Sequence, residues 1–293
     1  MDLHSIGQNL VYGLFVGGLY GMAAVGLSLV FGVLKVLNVA HGELLMLGGY
    51  LSFWLFDSYG VDPFLAIAIV APALFLVGLA LHAGLFRWVM PLAEEAKIKN
   101  SLLIAFGLTL IFENLAIRIW TADERAITTS YSGEGLTLAG IVFPYTRVSG
   151  LVVALVVVLL LHLLLARTYL GRAIRATSED WEAASLMGIN VHRTYLVAFA
   201  IGTALAGIAG TLVSLGYTIA PSIGLAWTLK ALVVVVLAGM GSILGAFAAG
   251  VLLGEAEAVS IYIFDSANYR EVVGLVLFML VLLLRPQGLF GRR

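Results

Sequence analysis

Long apolar runs separated by short polar segments make up nearly the whole chain. A membrane-spanning helix needs about 20 predominantly apolar residues, and nine runs approach or exceed that length. The second and seventh runs are short, so each is predicted to be a broken or re-entrant helix, and the number of spans is predicted as eight or nine. The runs cover roughly residues 8–34, 43–57, 64–86, 101–120, 150–166, 195–217, 225–240, 243–264 and 270–285.

This pattern predicts an all-α fold: a polytopic membrane helical bundle that forms a single transmembrane domain over residues 1–293. The composition agrees, since 61% of the residues are hydrophobic and only 11% are charged, against about 25% charged in a water-soluble domain. The chain has no cysteine, which excludes disulfides, thiolate metal sites and cysteine nucleophiles. A net charge of -1 argues against nucleic acid as a partner.

The basic residues predict the orientation of the chain, because cytoplasmic loops of membrane proteins are enriched in lysine and arginine. Segment 57–63 has no basic residue, and segments 121–149 and 255–270 hold three between them. We therefore expect the N-terminus outside, the C-terminus in the cytoplasm and an odd number of crossings. The residues assigned to the cytoplasm are Lys35, Arg87, Lys97, Lys99, Arg167, Arg172, Arg175, Arg193, Arg285, Arg292 and Arg293.

Residues 167–194 form the longest basic and polar segment, and the orientation makes it a cytoplasmic loop. Thr177 and Asp180 form a T-x-x-D pattern that could cap a helix start. Ala183, Leu186 and Met187 then fall on one helix face, and Gly188 is a natural helix end. The loop is thus predicted to hold a short helix with an apolar face available to another protein. An ordinary solvated loop helix is the alternative.

Polar residues inside apolar runs are candidates for a substrate path, because ionisable groups at membrane depth are costly and tend to be functional. For the candidates at positions 38–43 the alternative is a cytoplasmic turn, and for those at positions 113 and 114 it is a structural pairing with another polar residue. For those at positions 239–242 the alternative is helix packing. Gly239, Gly241 and Ser242 are included because they break an apolar run, and non-helical backbone in a membrane survives only in protein or beside a cavity. The other candidates are Asn38, His41, Glu43, Glu113 and Asn114.

Three stretches resemble the branched-chain amino acid permeases of ABC importers. Glu182-Ala183-Ala184-x-x-x-Gly188 is similar to the E-A-A-x-x-x-G coupling loop of ABC importer permeases. The stretch from Gly26 to Tyr50 resembles the family's N-terminal signature, and the ending from Arg285 to Phe290 resembles its C-terminus. With length and span count, the resemblance covers essentially the whole chain.

The resemblance implies a permease subunit in the bacterial inner membrane, which imports branched-chain or other apolar amino acids delivered by a substrate-binding protein. It also implies a second, related permease as partner, with a heterodimer favoured over a homodimer, and two ATPase subunits that carry ATP and Mg²⁺. The residues expected to contact the ATPase are Asp180, Glu182, Ala183, Ala184, Leu186, Met187 and Gly188.

The chain itself is expected to bind no cofactor and to catalyse no reaction. It has no G-x-x-x-x-G-K-[ST] motif for ATP hydrolysis, no H-E-x-x-H motif, and no His/Asp spacing typical of a metal site. Two other functions stay open at this point. One is transport of urea or a short amide by the same kind of permease, and the other is an ATP-independent channel or secondary carrier.

Overall fold

The computed structural model describes residues 3–138, 140–264, 266 and 268–291. The described residues form eleven α-helices, a 3₁₀ turn at Phe86–Trp88 and one antiparallel hairpin. The helices are α1 (Leu3–Leu34), α2 (His41–Tyr59), α3 (Pro63–Gly84), α4 (Glu94–Trp120), α5 (Tyr145–Arg167), α6 (Tyr169–Glu179), α7 (Trp181–Leu186), α8 (Val191–Ser214), α9 (Ile223–Ala238), α10 (Ile243–Phe264) and α11 (Tyr269–Leu284). The strands are β1 (Gly135–Leu138) and β2 (Ile141–Pro144).

Six segments of the described chain are long and apolar enough to cross a membrane, and α9 is a shorter apolar helix. They are Ser5–Leu34, Pro63–Trp88, Glu94–Trp120, Tyr145–Arg167, Val191–Ser214 and Ile243–Phe264. The prediction of an all-α polytopic membrane protein is confirmed, with the small hairpin as an addition to it. The figure of eight or nine crossings stays a prediction, and Arg292 and Arg293 of the orientation argument lie outside the described residues.

The two ends of the bundle are distinguished by the elements they carry. The hairpin side holds β1 and β2, and the start of α1 is fixed there because the Gln8 amide exchanges two hydrogen bonds with the backbone of Val142, at 3.0 and 2.8 Å. The coupling side holds α6 and α7. Helices α1 and α10 pack antiparallel along a glycine stripe, where a Cβ on Gly17 would lie 2.6 Å from the Cα of Val251. Small residues therefore let these two helices approach closely.

The loop that follows α4 is tied down on the hairpin side. The Tyr131 hydroxyl donates a 2.7 Å hydrogen bond to Asp62, and the other Asp62 oxygen caps α3 by accepting from the Phe64 N–H at 2.9 Å. Burial first, and this hydrogen bond second, raise the pKa of Tyr131 to about 12. The loop is therefore an ordered connection that packs against the start of α3.

Two helices begin inside the bundle instead of at its surface. After α1 ends at Leu34, residues 35–40 lead back along it, and the His41 ring at the start of α2 bonds the carbonyl of Ala23 at 2.9 Å. Ala23 lies eleven residues before the end of α1, a distance of about 16 Å at 1.5 Å per residue. Residues 215–222 likewise separate α8 from α9. These are the two runs for which the sequence predicts broken or re-entrant helices.

The sequence interpretation of Thr177 as part of a helix cap is wrong. Thr177 lies inside α6 and its side chain is buried. The helix runs on to Glu179, so the cap falls on Asp180, whose extended backbone separates α6 from α7. The polar loop therefore holds two consecutive helices: α6 packs onto the bundle through Ala173, Ile174 and Thr177, whereas α7 buries only Ala184 among its described residues.

Candidate functional site

Helix α7 is short but well capped at both ends. At its start the Asp180 Oδ1 accepts hydrogen bonds from the N–H groups of Glu182 at 2.9 Å and Ala183 at 3.0 Å. At its end Gly188 adopts φ of +82°, in the left-handed region that favours glycine. The Ile189 N–H then bonds the carbonyl of Ala184 at 3.1 Å. These contacts fix a six-residue helix that would be unstable alone.

The outer face of α7 is apolar and uncovered. Leu186 is 89% exposed and Met187 is 83% exposed, whereas Ala184 is buried against the bundle. Ala183 and Glu182 are exposed beside them. Two large apolar side chains this exposed on one short helix are typical of a site that contacts another protein.

The segments on either side of α7 join it rigidly to long helices. Thr168 caps α6 by accepting from the Gly171 N–H at 3.0 Å, and Arg175 donates to the carbonyl of Leu165 at the end of α5. Asn190 caps α8 by accepting from the Arg193 N–H at 3.0 Å. Helix α7 is therefore flanked on both sides by capped helices that connect it to α5 and α8.

A second cluster lies where α2 and α9 begin. The Gly42 N–H donates to the Thr228 hydroxyl at 2.8 Å, and that hydroxyl donates to the Val39 carbonyl at 2.8 Å. A Cβ on Gly42 would lie 1.8 Å from the Gly224 carbonyl oxygen. The first turns of the two helices are thus in contact, which only glycine at both positions allows.

Three of the predicted path residues lie at or just before the start of α2, and of these Glu43 contacts α9 while the His41 ring contacts α1. Asn38, His41 and Glu43 are each at most 2% exposed. The His41 Nε2 donates to the Ala23 carbonyl, but His41 Nδ1, Asn38 Oδ1 and Glu43 Oε2 have no hydrogen-bond partner among the described residues. Buried polar atoms are nearly always paired, so these three atoms are available to a ligand or to water.

The electrostatics of the junction suit a ligand with both a positive and a negative group. The N-terminus of a helix carries a partial positive charge, and two such ends meet here, where Thr228 already accepts the Gly42 N–H. Glu43 lies in the first turn of α2, and its carboxyl also packs against Gly224 in the first turn of α9. One buried carboxyl next to two helix N-termini can receive an ammonium group and a carboxylate within a few ångströms.

The other predicted path residues are not brought into this junction. Glu113 on α4 is half-buried. Asn114 is exposed and donates to the Leu110 carbonyl of its own helix at 2.8 Å. The group of Gly239, Gly241 and Ser242 forms the turn between α9 and α10 on the coupling side, where it lines a cavity of about 550 Å³ with Lys35 and Arg175.

Sequence reasoning missed two residues of the junction and one charged cluster. Thr228 lies in the seventh run and Gly224 just before it, and nothing in their local sequence indicates that they contact α2. Glu257 lies in the eighth run, where it is buried and pairs with Lys230 and Arg270. Ionisable residues within apolar runs were the signal that could have identified this cluster.

The chain is similar in sequence to known membrane permeases. The sequence profile of the family described as branched-chain amino acid transport system / permease component matches residues 9–282. The high-affinity branched-chain amino acid transport system permease protein BraD of Pseudomonas aeruginosa is 35% identical, covering 97% of this chain and 95% of that relative. The permease protein LivH of Escherichia coli strain K12 is 32% identical, also covering 97% of this chain and 95% of that relative.

A more distant similarity links the chain to another permease of the same transport systems. The permease protein LivM of Escherichia coli strain K12 is 28% identical, covering 92% of this chain and 67% of that relative. No solved structure matches the chain. The profile match and the two relatives above 30% identity both span nearly the full length. The chain therefore belongs to the family of branched-chain amino acid transport system permease components.

Proposed function

We propose that this chain is the membrane-spanning permease subunit of an ABC importer for branched-chain or other apolar amino acids. The observation that carries the proposal is the similarity to BraD over 97% of the chain. The exposed apolar face of α7, in the position of the family's coupling loop, supports it. In this role the chain is not an enzyme and binds no cofactor, and ATP and Mg²⁺ are held by the partner subunits.

The proposed assembly contains two permeases, two ATPases and a substrate-binding protein. The similarity to LivM supports a related but different permease as the second one, hence a heterodimer. The chain lies in the bacterial inner membrane with its N-terminus outside and its C-terminus in the cytoplasm. This orientation puts α7 in the cytoplasm, where the ATPases are, and it requires an odd number of crossings, which nine spans satisfy.

The proposed mechanism couples α7 to the junction of α2 and α9. ATP draws the ATPase pair together, the ATPase displaces α7, and the capped segments on either side pass the movement to α5 and α8. Helix α8 packs along both α2 and α3, so its displacement shifts the junction. This is a two-state rearrangement that is biased from one side of the membrane.

The substrate in this proposal is recognised at the junction. The ammonium group of the amino acid lies against Glu43, and its carboxylate lies against the N–H groups of the two helix ends. The turn of Gly239, Gly241 and Ser242 lines the exit on the coupling side. Glu113 and Asn114, on the peripheral helix α4, are the least supported members of the path.

The decisive test is an association experiment on the face of α7. The double variant L186S/M187S is expected to fold normally, because both side chains are exposed, and to lose the ATPase subunits on gentle purification. Full burial of such a side chain is worth about 1.5–3 kcal/mol, so the pair contributes about 3–6 kcal/mol to the contact. Leucine uptake in cells should fall in parallel.

The matched control is L138S, since Leu138 is also an exposed leucine, on β1 at the hairpin side. It should keep both the ATPases and the uptake. If L186S/M187S retained its ATPases and transported leucine at the normal rate, the importer proposal would be wrong. Competition of leucine uptake by urea or acetamide would instead show a permease for small amides.

A further inference from the structure

A cluster of charged side chains outside the proposed path joins α1, α9, α10 and α11. The Glu257 carboxylate accepts hydrogen bonds from Lys230 Nζ at 2.6 Å and from Arg270 Nε at 2.7 Å. The Tyr20 hydroxyl donates to the same carboxylate at 2.9 Å and accepts from Arg270 Nη2 at 3.1 Å. One carboxylate therefore holds two cations, and the cluster has a net charge of +1.

This excess charge is costly where it lies. The Glu257 side chain is 1% exposed, and those of Lys230 and Arg270 are 25% and 22% exposed. An unmatched charge within a membrane needs a counter-charge or water. Glu271 lines the same cavity, but it is exposed and has no ion pair within the described part of the chain. Solvent therefore screens Glu271 more strongly than it screens the buried groups.

A cavity of about 370 Å³ opens beside the two cations, between α9 and α11. The Lys230 ammonium has three N–H donors, and among the residues that the structure describes only the bond to Glu257 uses one of them. Tyr217 and Trp227 form the rest of the polar wall, and Leu229 and Leu275 form the apolar wall. The cavity thus presents free donors and positive charge at one end and exposed apolar side chains at the other.

The depth of the cavity is close to one membrane surface. Glu257 lies seven residues before the end of α10 on the hairpin side, a distance of about 10 Å. The Trp227 ring makes edge contacts with Tyr20 at 5.7 Å and Tyr217 at 5.9 Å. Arg270, which pairs with Glu257, lies in the first turn of α11, and this position also puts the cluster toward the hairpin side.

We propose that this cavity binds the phosphate headgroup of an anionic membrane phospholipid. The headgroup phosphate supplies the missing negative charge. It also accepts hydrogen bonds from the N–H groups of Lys230 that the bond to Glu257 leaves unused. The acyl chains lie along the exposed side chains of Leu229 and Leu275, which are 54% and 58% exposed. A free carboxylate or phosphate ion would satisfy the charge but would leave this apolar wall uncovered.

The test compares lipid retention by three forms of the full chain. Wild type, Lys230→Met and Arg118→Gln are reconstituted into nanodiscs of phosphatidylcholine with phosphatidylglycerol, and bound lipid is counted by native mass spectrometry. Lys230→Met leaves a neutral Glu257–Arg270 pair, so the variant should fold. It is expected to retain about five- to tenfold less phosphatidylglycerol. Arg118→Gln removes an exposed cation from α4 near the same side and should retain it fully.

Melting temperatures of lipid-depleted protein separate the sources of the anion. Phosphatidylglycerol should raise the melting temperature of the wild type, while inorganic phosphate or leucine alone should not. If the free ions stabilised the protein equally well, the lipid assignment would be overturned. Equal lipid retention by Lys230→Met and the wild type would overturn the site. The site would also be overturned if the melting temperature of Lys230→Met lay below that of the wild type by the same amount with and without lipid. These readouts measure binding, so they stand whether or not the chain transports amino acids.

Discussion

Replacement of Gly42 by alanine tests the contact between α2 and α9 most directly. The added Cβ would lie 1.8 Å from the Gly224 carbonyl oxygen and 2.5 Å from the Thr228 hydroxyl oxygen. Ordinary contacts of this kind are 3.4–4 Å, and the first obstacle is backbone, which cannot rotate away. The first turns of the two helices must therefore separate, and the Gly42 N–H loses its 2.8 Å hydrogen bond to Thr228.

The free-energy cost of this substitution combines three effects. Overpacking costs about 1–3 kcal/mol or more, and loss of the hydrogen bond costs about 1 kcal/mol. Alanine recovers about 0.5–1 kcal/mol through its better helix propensity. We expect Gly42→Ala to destabilise the chain by about 2–4 kcal/mol and to abolish leucine uptake, because the junction holds the proposed substrate site.

The assay is unfolding of the purified chain in detergent, followed by leucine uptake in cells that express the complete transporter. Gly107→Ala is the matched control, since Gly107 also lies in a helix but nothing lies within 4 Å of its Cβ position. This control should be neutral or slightly stabilising. A Gly42→Ala chain that unfolded like the wild type and transported leucine normally would refute the geometry of the junction and the reasoning built on it.

Three further predictions concern other contacts. Asp180→Ala removes both cap hydrogen bonds of α7 and is expected to cost about 0.5–2 kcal/mol of local helix stability. Co-purification should then show weakened ATPase association, and Asp180→Asn, which keeps an acceptor, should preserve it. Glu257→Gln leaves Lys230 and Arg270 without a counter-charge and should lower stability by about 3–5 kcal/mol in an unfolding assay. Addition of Lys230→Met should recover part of that loss. The unfolded chain ionises Tyr131 near pH 10 but the folded chain near pH 12, so stability should fall as the pH rises through this window. Tyr131→Phe should remove that component from a pH series of unfolding curves, and an unchanged pH dependence would contradict it.

The membrane class and the position of helix α7 were accessible from the sequence because both depend on local properties. Apolar run length alone identifies helices that must lie in a membrane, since an unsatisfied backbone is too costly there. The cap at Asp180 and the left-handed residue at Gly188 depend on neighbours within a few positions. The exact cap residue was misassigned, because burial of Thr177 against the bundle extends α6 by a turn that no local pattern shows.

The junction and the charged cluster were decided only by the tertiary structure. Gly42 and Thr228 are 186 positions apart, and Tyr20 and Glu257 are 237 apart. Sequence position says that such groups are polar and membrane-embedded, but it does not say which of them are in contact. Packing between helices distant in the chain chooses the partners, because each buried polar group must find another within hydrogen-bond distance. That requirement brings Glu257 to Lys230 and Arg270, whereas Asn38, His41 and Glu43, near the start of α2, each keep a buried polar atom without a partner among the described residues.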